Sequence, residues 1–198
     1  LKRIGIATRG DAEQLILPGL TGSVAFLVLL FPLGLLGLLR PWLTFMLVAG
    51  GLAAGWRAWI TLPALLARLR ESWAGDHSLT DGLAGLCVPW LLLLSATSTL
   101  NALAPSRIWD ALRHHLYDAL MYAHWEALRP VDGIPYSYFP QGLELLMAAT
   151  LPFGGLIAAQ LIAAVFFPLL VGLVWLIARE CGACRRTALI GLALVASV

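Results

Sequence analysis

From Leu15 to Leu39 the chain runs 25 residues without a charged side chain. About 20 predominantly apolar residues carry a helix across the hydrocarbon of a bilayer. Further apolar runs follow at Trp42–Ile60 (interrupted near its end by Arg57), Leu83–Leu103 and Gly155–Ala178, and another occupies 187–198. Composition agrees: 12% of residues are charged, against about 25% in ordinary soluble domains, and mean hydropathy is +0.86. The expected fold is all-α, a polytopic transmembrane helical bundle with an outward juxtamembrane helical loop. Residues 1–198 read as the N-terminal part of one transmembrane domain, with 104–154 as its outer loop. Because the chain opens on Leu1 and stops at Val198 inside an apolar run, it is expected to belong to a longer protein. The first run is too long for the roughly 7–15-residue core of a cleaved signal peptide.

Charge sets the expected orientation. Alternating the spans gathers Lys2, Arg3, Arg9, Arg57, Arg68, Arg70, Arg179, Arg185 and Arg186 on one side. Only Arg40, Arg107, Arg113 and Arg129 fall on the other. Lys and Arg accumulate on the cytoplasmic side, so the N-terminus is expected inside and the loop outside. The tally supports counting Gly142–Leu151 as a short half-buried helix rather than a crossing. A net charge of +2 argues against nucleic acid as a partner; membrane lipids are the expected surroundings. Cys181 and Cys184 form a lone CxxC with no second Cys or His pair nearby, which reads as a short reduced turn.

The outer block, Ser106–Glu144, differs from everything around it. It holds all four tyrosines, three of the four histidines and five of the eleven acidic residues. Ser106 can cap a helix running to Leu128. At 3.6 residues per turn, Ile108, Leu112, Leu116, Ala119, Ala123 and Ala127 share one face, and Asp110, Arg113, His114, Tyr117 and Asp118 the opposite one. Such a helix lies at the headgroup level, apolar side down. Asp110, His114 and Asp118 at i, i+4, i+8 form a stripe that is either a solvated face with routine pairing or a site for a divalent metal. Beyond it, Pro130, Pro135, Pro140 and Gly133 impose an extended, turn-rich segment. Tyr136, Tyr138 and Phe139 on that segment suit a membrane interface, a sugar ring or a lipid tail. Glu144 brings a charge to the bilayer boundary, where ionisable groups are costly.

Two runs carry a resemblance. Trp109-Asp-Ala-Leu-Arg-His-His-Leu116, followed by Pro135-Tyr-Ser-Tyr-Phe-Pro-Gln-Gly-Leu-Glu-Leu-Leu146, resembles the first large outer loop of bacterial type-C (GT-C) glycosyltransferases, polytopic enzymes related to the protein mannosyltransferases and lipid A aminoarabinose transferases. The likeness covers about forty residues. It implies a GT-C-like bundle that uses a polyprenyl-phosphate sugar as donor. A loop aspartate then serves as general base on the acceptor hydroxyl, and the lipid phosphate leaves with inversion. Asp110 matches that aspartate, His115 the family histidine, and Glu144 the acidic residue opening the next helix. Arg107, Arg113 and Arg129 are added as candidates for the donor phosphate because a guanidinium suits phosphate geometry. His114, Tyr136 and Tyr138 complete the candidate donor and acceptor contacts.

The pattern also departs from the family. His114 stands where relatives carry Tyr, and Ala119 and Leu120 lie near a usual Pro-Lys. The family has around ten or more spans, so the two runs before Leu83 read as an extension ahead of its core. A polytopic transporter or a non-catalytic membrane assembly protein remain the alternative expectations. Spans almost free of charge argue against the transporter.

Overall fold

A computed structural model describes residues 10–74, 82–105, 111–138 and 141–197. Every regular element among the described residues is helical. In chain order these are α1 (Asp11–Leu35), α2 (Pro41–Ala54), α3 (Trp56–Ala74), α4 (Gly82–Leu103), a π-turn (Ala111–His115), α5 (Leu116–Trp125), a 3-10 turn (Pro135–Tyr138), α6 (Gly142–Glu180) and α7 (Arg185–Ala196).

Three of the described helices are long and apolar enough to cross a bilayer: α1, α4 and α6. Their spanning windows bury few residues within the chain itself. Side chains such as Val28, Leu35 and Leu92 are exposed, the pattern of a surface that meets lipid. The second expected span, Trp42–Ile60, is not one helix. It breaks at Gly55 into α2 and α3, and α3 continues to Ala74. Fourteen residues of α2 rise only about 21 Å, short of a hydrocarbon core of roughly 30 Å. Gly50, Gly51 and Gly55 weaken the run as a helix, so α2 and α3 make a span only as a broken pair.

The chain forms two compact units. The first gathers the described parts of Leu1–Thr21, Gly55–Ser98 and Phe167–Val198. Within it, Gly172 lies against Ile16, where an added Cβ would come within 2.7 Å of that side chain. A turn at Gly182 (φ +87°), framed by Cys181 and Cys184, ends α6 and precedes α7; both thiols are free.

The second unit, Gly22–Ala54 with Thr99–Phe166, carries the main core. Leu30 and Leu39 pack with Leu116, Ala119 and Tyr122 of α5 and with Leu145–Ala149 at the start of α6. Gly34 fixes the approach. Its carbonyl accepts a 2.8 Å hydrogen bond from Leu128 N, and Leu39 N donates to Glu126 O at 2.9 Å. An added Cβ at Gly34 would meet Leu128 Cβ at 2.9 Å, so only glycine admits this contact. Arg40 and Glu126 add an exposed ion pair at 3.5 Å. Farther along, α6 breaks at Gly154 and Gly155. Gly155 has φ +59° and ψ −153°, a region reserved to glycine. The buried opening turns of α6 are thereby divided from the apolar stretch beyond.

Candidate functional site

From Ala111 onward the helix expected over Ser106–Leu128 departs from simple periodicity. Ala111–His115 is a π-turn, and the α-helix proper starts at Leu116. A π-turn bonds i to i+5 and so puts an extra residue into a turn, which shifts the residues before it out of phase with those of α5. Leu112, expected on the apolar face, is accordingly exposed. The helix also ends earlier than Leu128. Glu126 adopts left-handed φ of 52° and its N–H bonds to Tyr122 O, so the chain leaves the axis there.

The π-turn also prepares the central contact. His115 Nδ1 lies 2.5 Å from Glu144 Oε1. Glu144 opens α6 and is 6% exposed, whereas the His115 side chain is half open to solvent. A carboxyl group this buried needs a hydrogen-bonding partner, and the His115 ring nitrogen stands in that place.

Behind the pair lie two polar side chains in an apolar wall. Asp118 is 1% exposed and Tyr122 fully buried, one turn apart on α5. Among the described residues, Asp118 Oδ1 and Tyr122 Oη find no hydrogen-bond partner. Asp118 is therefore not on a solvated face, as its place in the stripe suggests. The start of α6 covers that side of α5, and Leu145–Ala149 close over it. Burial, and then the nearby Glu144 charge, hold the Asp118 carboxyl above its ordinary range, with His114 and His115 pulling the other way. Burial and the same two carboxylates keep the Tyr122 phenol protonated well beyond its usual range. A buried carboxyl held above its ordinary range thus stands near a second carboxyl that contacts a histidine.

The turn-rich segment is tied by a residue that the motif reading passes over. Val131 N donates to Ser137 Oγ at 2.8 Å, and the hydroxyl lies 2.8 Å from Ile134 O. The serine is buried, so it works as an internal staple that presents Tyr138 outward, 69% exposed. Its only signal in the sequence is a small hydroxyl residue among turn formers.

Of the sequence-predicted site residues, His115 and Glu144 come together, with His114 and Asp118 near them in charge. Arg113 and Arg129 are exposed on the same unit. Asp110, Arg107 and the side chain of Tyr136 lie outside the described residues. Among the described residues no three His, Cys, Asp and Glu side chains converge as a metal's ligands; of the candidate stripe Asp110–His114–Asp118, the Asp118 end is enclosed by the α5–α6 core. Tyr122 is the buried group that sequence reasoning missed. An Asp and a Tyr at i, i+4 were visible, but nothing local marks that spacing as buried.

Comparison with protein-family models, curated proteins and solved structures finds no match for this chain. Its function has to be read from its own residues.

Proposed function

We propose that this chain is part of a GT-C-type membrane glycosyltransferase that moves a sugar from a polyprenyl-phosphate donor to an acceptor on the outer face. One observation supports the reading above the rest. The Trp109–Leu116 run and the Pro135–Leu146 run, 29 positions apart at His115 and Glu144, meet in the 2.5 Å contact between those side chains. Two motif halves that belong to one site should converge, and these do.

In the proposed reaction Asp110 accepts the proton of the acceptor hydroxyl as that oxygen attacks the anomeric carbon. The bond between that carbon and the phosphate oxygen breaks, and polyprenyl phosphate leaves with both electrons. The new glycosidic bond has inverted configuration. His115, held by Glu144, anchors the chain five residues after Asp110 and acts as a positioning residue. Arg113 and Arg129, with Arg107, are assigned to the donor phosphate, and Tyr138 with Tyr136 to the sugar or lipid. The nine-to-four bias of Lys and Arg supports a cytoplasmic N-terminus and an outward block in a bacterial inner membrane.

The test is release of polyprenyl phosphate from a panel of polyprenyl-phosphate sugars by the protein in nanodiscs. Wild type is expected to turn over at least one donor, and Asp110→Asn none. Absence of turnover by a folded wild type across the panel overturns the reading. Equal turnover by both removes Asp110 from the mechanism.

A further inference from the structure

A three-residue rhythm runs through the segment between α5 and α6. Val131, Ile134 and Ser137 are buried, the first two in the main core, whereas Asp132, Pro135 and Tyr138 are exposed. Arg129 precedes them at the same spacing and is exposed too. The rhythm has a backbone cause: Ile134 N donates to Val131 O and Ser137 N to Ile134 O, both at 3.1 Å. Bonds of this reach set three residues to a turn. The Ser137 hydroxyl closes the segment on itself, accepting from Val131 N and donating to Ile134 O. Pro130 and Pro135 fix φ at two further points. The exposed side chains therefore stand on a base with little freedom left.

Those side chains are uncommitted. Arg129, Asp132 and Tyr138 form no side-chain hydrogen bond or ion pair among the described residues. One short segment thus offers a guanidinium, a carboxylate and an aromatic ring that is 69% exposed. Hydrocarbon does not suit this set. A carboxylate is costly beside lipid tails, and a fluid chain gains nothing from a ring held in place. A sugar suits all of it. The C–H face of a pyranose lies on an aromatic ring, its hydroxyls donate to a carboxylate in charge-assisted bonds, and a fixed platform lowers the ordering cost of binding. A guanidinium on the same segment suits an attached phosphate.

We infer that this segment holds the sugar of the polyprenyl-phosphate donor, with Tyr138 stacked on the ring and Asp132 accepting from its hydroxyls. Ser137 is the positioning residue for both, and Arg129 keeps the phosphate. The identity of the donor rests on the proposed transferase reading; the sugar site on Asp132, Tyr138 and Ser137 is added to it.

The experiment titrates the protein in nanodiscs with citronellyl phosphate, a short-chain stand-in for the lipid, read by calorimetry. The probe is used bare or carrying mannose, glucose, galactose or N-acetylglucosamine. Wild type is expected to bind at least one sugar-bearing form more tightly than the bare phosphate. Tyr138→Ala and Asp132→Ala should each weaken that form about tenfold, the loss expected of one central contact, and leave the bare phosphate unchanged. Ser137→Ala should weaken the sugar-bearing form in the wild-type background and add nothing once Tyr138→Ala and Asp132→Ala are both present. That non-additivity separates positioning from general loss of structure, and a further loss in that background removes Ser137 from the role. If Ser137→Ala does not fold, the two exposed substitutions decide alone. The inference is overturned if wild type prefers no sugar-bearing form, or if either exposed substitution weakens both forms equally or neither. Turnover is read on the same samples. Sugar-dependent binding without turnover keeps the sugar site and removes the transferase; turnover with affinities unchanged by the two substitutions does the reverse.

Discussion

His115 and Glu144 stand 2.5 Å apart across 29 residues of sequence, and this pair joins the start of α5 to the opening of α6. Its two ends are unequal. Glu144 is buried while His115 is half open, so loss of the histidine strands a carboxylate, whereas loss of the carboxylate returns a histidine to water. His115→Ala should cost about 1–3 kcal/mol, the penalty of an unsatisfied buried acceptor. Glu144→Gln, which keeps an acceptor, should cost less. A double-mutant cycle read by unfolding in detergent checks the coupling; independent, additive effects would refute the pairing.

Asp118 makes stability depend on pH in a defined direction. Its carboxyl is held above the ordinary value of 3.8, first by burial and then by Glu144. The folded chain therefore binds this proton more tightly than the unfolded one. Its contribution is undiminished below 3.8 and is lost as pH rises from there through the raised folded value. Asp118→Asn carries no such proton. Melting temperature against pH should fall less steeply for the variant, which at neutral pH should equal or exceed wild type. A variant markedly less stable at neutral pH would show that the carboxylate itself is needed.

Tyr122 Oη is fully buried without a hydrogen-bond partner among the described residues. Tyr122→Phe removes a desolvated group and keeps the ring, so stability should rise or stay within about 1 kcal/mol. If the hydroxyl serves proton handling beside Asp118 and Glu144, turnover should nevertheless fall and its pH profile shift. Unchanged turnover and pH profile would leave Tyr122 as packing alone.

Gly34→Ala drives a methyl to 2.9 Å from Leu128 Cβ, at a point where backbone hydrogen bonds pin both stretches of chain. Overpacking of this kind costs about 1–3 kcal/mol. Gly22→Ala on the same helix, with nothing within 4 Å of the added Cβ, is the control and should be neutral or stabilising. Chemical denaturation of the two variants side by side decides it; equal behaviour would mean that Gly34 does not set the approach of α1 to the segment that follows α5.

Much of this architecture is legible without coordinates, because hydrophobicity is a local property of the chain. The apolar runs from Leu15, Leu83 and Gly155 announce α1, α4 and the far part of α6 by length and composition alone. His115 and Glu144 could each be singled out, and the prolines around Gly133 mark where a helix cannot continue. Their meeting could not be read, since no pattern along the sequence states which surface covers which. For the same reason Asp118 reads as solvated until the start of α6 is laid over it. Gly34 looks like any of nineteen glycines until Leu128 packs against it. The break at Gly55 turns on a competition between weak helix propensity and the packing available to each half. Periodicity and composition determine which segments become helices and which enter a bilayer; only the tertiary structure decides which polar groups lose their water, because desolvation is done by neighbours distant in the chain.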